Sequence, residues 1–254
     1  MRRGVAAAAA AAAVVVWLIG CGGGGSLPSE TGRQPGPTSP DGRAPLPGTP
    51  AQPDTPGNGN ILAPASLWPL TPGSSWTYRI TDDMRGVFNK RVEVLGPQPV
   101  PEMTITAIVV HSTQPHLEER SWQVQLDNGL VVRLREEDLK SGAVARVTTW
   151  TPATVKSVAV PQAQGWTHNS TIREMTQMGD GIIEEKDRTY VWTVRAVNET
   201  VTVPAGTFTN AIRIERNQPD KEGKLRTYWL VPGIGKVKED GERLEELVSH
   251  DVKK

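Results

Sequence analysis

The sequence predicts an all-β domain built as an antiparallel meander, set behind an export leader and a low-complexity linker. Three observations predict it. Apolar and polar residues alternate at period two through much of Leu67 to Lys254, as in Trp76, Tyr78 and Ile80 against Thr77, Arg79 and Thr81. Glycine-bearing turns such as Asp127-Asn128-Gly129 and Asp240-Gly241 separate these runs at hairpin distance. Helical periodicity appears only over Leu134–Leu139, which is too short to serve as a crossover. Hairpins in series without crossover helices imply a barrel, a half-barrel or a sandwich.

The chain opens with Arg2 and Arg3, followed by an unbroken apolar run from Val5 to Ile19. A spanning helix needs about 20 apolar residues, so this run has the proportions of a signal-peptide core rather than of a membrane anchor. Leu18-Ile19-Gly20-Cys21 resembles the lipobox of bacterial lipoproteins. That resemblance implies cleavage after Gly20, a diacylglyceryl group on the Cys21 sulfur and further acylation of its amino group with a chain such as palmitate. Several acyl chains, at about 0.8 kcal/mol per buried methylene, make such attachment effectively permanent. Gly22 stands where enterobacterial inner-membrane lipoproteins carry Asp, which by analogy favours the outer membrane, facing periplasm or cell surface.

From Cys21 to Ser66 the chain is dominated by Gly and Pro with Ser, Thr and Gln between them. So little apolar surface cannot offset ordering entropy, and residues 21–66 are predicted to be a disordered tether. Three regions result: a signal peptide over 1–20, the lipidated cysteine and tether over 21–66, and a β domain over 67–254.

Within that domain the alternation marks strands at Trp76–Thr81, Arg91–Leu95, Thr104–His111, Ser121–Leu126, Leu130–Arg135, Ala143–Trp150 and Thr167–Met178. Further strands surround Tyr190–Val197, Ile212–Glu215, Lys224–Val231, Lys236–Glu239 and Glu242–Ser249. Between Leu126 and Leu130 a three-residue loop with Gly129 left-handed pairs Val124 with Val132 and Trp122 with Leu134, keeping one apolar face. A two-residue turn there would instead pair Trp122 with Arg135 and Val124 with Arg133. Asp240-Gly241 reads as a two-residue turn that sets Val237 opposite Leu244 and Lys236 opposite Glu245. Asp180-Gly181 and Glu222-Gly223 mark two more reversals.

Three segments resemble motifs of uncharacterised bacterial lipoproteins, in the same order. Pro69-Leu70-Thr71-Pro72-Gly73-Ser74-Ser75-Trp76-Thr77-Tyr78 follows P-L-x-x-G-x-x-W-x-Y, and Val201-Thr202-Val203-Pro204-Ala205-Gly206-Thr207-Phe208 follows V-x-V-P-A-G-T-F. Tyr228-Trp229-Leu230-Val231-Pro232-Gly233-Ile234-Gly235-Lys236-Val237 follows Y-W-x-x-P-G-V-G-x-V. These proteins look related to the lipoprotein-localisation superfamily of LolA and LolB. The resemblance implies a curved, incomplete β half-barrel around a greasy concavity. In that superfamily helices plug the open side, and this chain shows none.

Charge excludes one class of partner: 28 Lys and Arg balance 28 Asp and Glu, leaving no basic field for nucleic acid. With Cys21 as its one cysteine, the chain builds neither a disulfide framework nor a thiolate metal cluster. Motifs of serine hydrolases, zinc peptidases, phosphate-binding loops and dinucleotide folds do not occur, so the expectation is a non-enzymatic protein without metal or cofactor. His111 and His116, followed by Glu118 and Glu119, read as a solvated loop, and His168 and His250 are scattered. Glu136-Glu137-Asp138 and Glu184-Glu185-Lys186-Asp187 read as exposed edge charges, and Ser74 and Ser75 as turn residues.

Aromatics supply the remaining candidate site. Trp76, Trp122, Trp166, Trp192 and Trp229, with Tyr78 and Tyr190, fall mostly on expected inward faces. They fill a core, or they line a cleft for an acyl chain or similar ligand. The leading functional expectation is therefore a lipid-anchored envelope lipoprotein that binds a hydrophobic ligand or an envelope partner through its curved sheet. The alternatives are an assembly accessory docking another envelope protein and, behind it, a hydrolase whose site is gathered from distant residues.

Overall fold

Period-two sequence becomes twelve strands in the computed structural model, which describes residues 64–221 and 224–254 within the unit Asn60–Lys254. They are β1 Ser75–Asp82, β2 Gly86–Pro99, β3 Thr106–Gln114, β4 Leu117–Gln125, β5 Leu130–Lys140 and β6 Ala143–Val158. The second half comprises β7 Thr167–Met178, β8 Ile183–Val203, β9 Gly206–Asn217, β10 Arg226–Val231, β11 Gly235–Asp240 and β12 Leu244–Asp251. The signal peptide, the lipobox Leu18-Ile19-Gly20, Cys21, the tether through residue 63 and the Glu222-Gly223 turn lie outside the described residues. The segment Leu134–Leu139 belongs to β5.

Each strand pairs antiparallel with its successor, and the meander closes where β1 pairs with β12 from Ser75↔Asp251 to Thr81↔Leu244. The expected half-barrel is therefore corrected to a closed twelve-stranded barrel. An open sheet leaves two rows of unpaired N–H and C=O groups, and the described residues contain no helix to cover them. The terminal strands cover each other instead. A bulge at Val248, skipped between the pairs Thr77↔Ser249 and Tyr78↔Leu247, bends β12 across this closure, while β11 and β12 share only the pairs Lys238↔Glu246 and Glu239↔Glu245.

Two turns show how local chemistry sets register. Leu126 N–H donates to the Leu130 carbonyl at 2.8 Å, Val124 pairs with Val132, and Gly129 has φ +81°, so the three-residue loop forms as expected. Beyond it a bulge makes Leu134 an extra residue on β5, and Trp122 lies opposite Arg135 rather than Leu134. At the second turn the expected pairing of Val237 with Leu244 and Lys236 with Glu245 is wrong. Glu239 lies opposite Glu245, which leaves a longer loop. A two-residue primed turn needs positive φ at its centre, and neither Asp240 nor Gly241 has it. Arg226 covers the loop, its Cγ 2.8 Å from where a Gly241 Cβ would sit.

Apolar side chains gather in three clusters. One joins Leu67 to Leu130, Val155, Val158, Trp192, Ile214 and Leu230 inside the barrel; another joins Trp76, Tyr78, Ile80, Val94, Val237 and Leu247. The third, around Val100, Val109 and Trp122, lies on the outer side of β3, because Val109 faces away from Ile108 and Val110. Elsewhere the outer wall carries cross-strand ion pairs: Arg79 with Glu246 at 2.6 Å, Arg195 with Glu215 at 2.6 Å and Arg173 with Asp187 at 3.0 Å. A membrane-spanning barrel presents an apolar band outward, so strands charged in this way face water. No helix among the described residues is long and apolar enough to cross a membrane.

Ahead of β1, residues 66–70 cross one end of the barrel as a strap. Leu67 N–H donates to Ala159 O at 2.8 Å, Gly233 N–H donates to Ser66 O at 2.8 Å, and the Leu67 side chain is fully buried. Gly129 supports the β4–β5 end of this floor. A Cβ on it would stand 2.5 Å from Val160 Cγ2, on a backbone that L-residues disfavour. Gly129→Ala is expected to lower unfolding free energy by about 1–3 kcal/mol, read from urea midpoints with an unchanged slope.

Candidate functional site

Regular strands send every second side chain inward, so a charged residue beside an inward apolar one should face solvent. Bulges break that rule at three places here. On β5 the extra residue Leu134 lets Arg133 and Glu136, three apart, share a face. On β11 the extra residue is Val237, and Lys236 and Glu239 face the same side. On β6 it is Lys156, skipped between the pairs Val131↔Ser157 and Val132↔Val155, which turns its side chain in beside Val155. The interior therefore contains charge as well as hydrocarbon.

Most of that charge is matched. Lys236 Nζ lies 2.5 Å from Glu239 Oε2 and 2.7 Å from Glu245 Oε2. Arg243 reaches the other Glu245 oxygen at 2.7 Å, Lys90 approaches it at 3.7 Å, and Arg226 meets Glu239 at 3.1 Å. Burial pushes both carboxyls up, but the surrounding cations together outweigh it: Lys236 with Arg226 holds Glu239 down to about 2, and Lys236 with Lys90 and Arg243 holds Glu245 well below the usual carboxylate range. On the facing wall Arg133 stacks 4.4 Å from the Trp150 ring centroid and contacts Glu136 and Glu119, the latter at 3.9 Å.

Between the strap and this network lies a cavity of about 70 Å³. Its apolar wall is Trp68, Leu70, Trp76, Val92 and Val110; its polar wall is Lys90, Glu119, Gln123, Lys156 and Lys236. The Trp68 indole N–H donates to Gln123 Oε1 at 2.9 Å, and Gln123 Nε2 donates to Ser121 Oγ at 3.0 Å. Trp76 Nε1 donates to Ile234 O at 2.7 Å, and the Tyr78 hydroxyl donates to Lys236 O at 2.9 Å. Lys156 differs from its neighbours. Its Nζ stands 5.6 Å from the Trp68 ring centroid and makes no ion pair with a described carboxylate. Burial and then Arg133 push its pKa down to about 7, with Glu119 opposing.

The aromatic residues expected to form one cleft are divided by the structure. Trp76 and Tyr78 line the cavity. Trp192, stacked on Tyr228 with centroids 5.6 Å apart, packs with Tyr190 and Trp166 in the neighbouring interior cluster, and Trp166 stacks on His168. Trp122 lies in the outer cluster under residues 99–103, donating to Pro99 O at 3.1 Å. Trp229 is on the opposite face of β10 from Tyr228 and Leu230, and donates to Glu199 at 2.9 Å. Lys90, Lys156, Lys236, Glu119, Gln123 and Trp68 were not legible as cavity residues. Their one sequence signal is broken alternation, as where Val155 and Val158, three apart, both reach the core.

Glu136, Glu137 and Asp138, read from the sequence as exposed, are each only 8% exposed. The oxygens of Glu119, Glu136 and Asp138 come within 4.8 Å of one another, but Arg133 and Arg146 already bring positive charge to them, Arg146 at 2.6 Å from Asp138. No histidine among the described residues joins such a group. At the far end of the barrel a polar hollow of about 290 Å³ lies among Glu174, Arg188, Tyr190, Arg216, Arg226 and Glu242. Its arginines are engaged: Arg188 with Glu174 at 3.3 Å, Arg226 with Glu242 at 3.0 Å, and Arg216 over Tyr190 at 4.9 Å.

No protein-family model and no curated protein matches the chain. Among solved structures it is similar to a candidate lipoprotein from Parabacteroides distasonis, at 12% identity and a TM-score of 0.36, covering 74% of this chain and 99% of the other. A likeness that slight carries no property from one protein to the other, and membership of the LolA/LolB superfamily is not shown.

The two central lysines are expected to respond oppositely to mutation. Lys236→Met strands Glu239 and Glu245 without their shared cation and should cost about 3 kcal/mol at neutral pH. The stability contributed by Glu239 is present above its unfolded pKa of 4.5 and is lost as pH falls toward about 2, so this cost should shrink across that window in urea titrations. Lys156→Met should instead stabilise, by about 1–3 kcal/mol near neutral pH. Its folded pKa of about 7 lies below the unfolded 10.5, so the penalty it removes is full below pH 7 and absent above 10.5. Equal midpoints for wild type and Lys156→Met at neutral pH would refute this account.

Proposed function

We propose that this is a non-enzymatic, lipid-anchored lipoprotein of the bacterial cell envelope that holds a small apolar or amphipathic molecule inside its barrel. The observation that carries the binding half is the strap-covered cavity, with indole and aliphatic side chains on one wall and an unmatched amine on the other. Such a site buries a hydrocarbon body and offers a polar contact to its end. The ion pairs around it support a holding role rather than a reactive one. Glu119, Glu239 and Glu245 are tied to Arg or Lys and serve the barrel's own neutrality.

The anchoring half rests on Leu18-Ile19-Gly20-Cys21 after a short apolar run. With acyl chains on Cys21, the water-facing barrel hangs from the membrane instead of crossing it. An outer-membrane location follows from Gly22 after the cysteine, and an envelope partner docking on the wall is the second role compatible with this placement.

Intact-mass analysis of the membrane fraction is expected to show loss of residues 1–20 and a diacylglyceryl-plus-acyl increment, with Cys21→Ala abolishing the increment and retaining the leader. Native mass spectrometry of the detergent-extracted protein is expected to show a bound small molecule that Trp76→Ala removes. An unprocessed chain would end the anchoring reading. A protein that is ligand-free and indifferent to apolar probes would end the binding one.

A further inference from the structure

We infer that the molecule held in the barrel is a small monoanionic acid, its carboxylate paired with Lys156 and its hydrocarbon laid against Trp68 and Trp76. This rests on the cavity being a binding site and goes beyond that reading by assigning the ligand's charge. Four observations converge.

Lys156 is the extra residue of a bulge, so its inward course comes from a local break in pairing rather than from the strand's own alternation. The neighbouring cations are already committed: Lys236 to Glu239 and Glu245, Lys90 to Glu245, and Arg133 to Glu119 and Glu136. Lys156 has Trp68 beside it and, among the described residues, no carboxylate paired to it. With Lys90 and Lys236 matched by Glu245 and Glu239, and Glu119 facing Arg133, Lys156 is the lining cation left to pair, so a single negative charge completes the set. The opposite wall is apolar and aromatic, which suits a short hydrocarbon and disfavours a polyanion such as phosphate.

The groups that set the charge of Lys156 are Arg133 on β5, Glu119 on β4, and Lys236 and Glu239 on β11, with Lys90 on β2 also lining the cavity. Burial first, then Arg133 and Lys236 against Glu119 and Glu239, leaves the amine largely neutral just above pH 7. An arriving carboxylate adds the missing counter-charge, so Lys156 takes up a proton as the acid binds. Affinity for the anion should then fall about tenfold per pH unit above neutrality, while a neutral ligand of the same length should show no such slope.

Hexanoate and hexan-1-ol, matched in chain length, provide the test on the detergent-solubilised full-length protein, by calorimetry from pH about 6 to 9 in buffers of different ionisation enthalpy. The expected result is at least tenfold preference for hexanoate at pH about 6, proton uptake on hexanoate binding near pH 8, and loss of both in Lys156→Met and Lys156→Gln with hexan-1-ol binding retained. If both probes bind equally to the wild type, or the preference survives both substitutions, the assignment of an anion to Lys156 is overturned and the cavity reading stands. If neither probe binds at any pH, the cavity reading itself fails. Proton uptake is measured on the unaltered protein, so the outcome does not depend on either variant folding.

Discussion

Charge taken out of water must be matched, and that requirement organises the inside of this barrel. A closed sheet of twelve strands encloses more volume than its wall can fill with hydrocarbon alone. The chain fills the difference in two ways. Leu67 and Trp68 enter from one end, and lysines, arginines and carboxylates enter from the wall as bonded sets. Lys236 with Glu239 and Glu245 also ties β11 to β12 where only two residue pairs join the strands, so the ion pairs reinforce the thinnest part of the closure.

The same wall carries both a matched and an unmatched lysine, and the difference between them is positional. Lys236 lies one bulge away from Glu239 on its own strand and faces Glu245 across the seam. Lys156 is offered Trp68, Arg133 and a hollow. Two residues of one type within one cavity are thus pushed to opposite ends of their titration range, Lys236 upward by its carboxylates and Lys156 downward by burial and by Arg133. Position alone makes one a structural tie and leaves the other without an ion-pair partner among the described residues.

Much of the strand order was legible because alternation and turn residues are local. Trp76, Tyr78 and Ile80 do face inward, and the Asp127-Asn128-Gly129 loop has its expected length. Closure was not legible, since it depends on β1 meeting β12 from the opposite end of the domain. Charges were misassigned for a related reason. Arg133 with Glu136 and Lys236 with Glu239 lie three apart, a spacing that faces opposite ways on a regular strand, and only the bulges bring each pair together. The same bulge displaced Trp122 from Leu134 to Arg135, on the outer side of the sheet.

The strap has a topological corollary. The stretch that covers the cavity, Ser66 to Leu70, stands shortly before the first strand, so cover and wall are continuous chain. Breaking the Ser66 and Leu67 hydrogen bonds would unseat Trp68 from Gln123, so uncovering the cavity and loosening the approach to β1 are one motion.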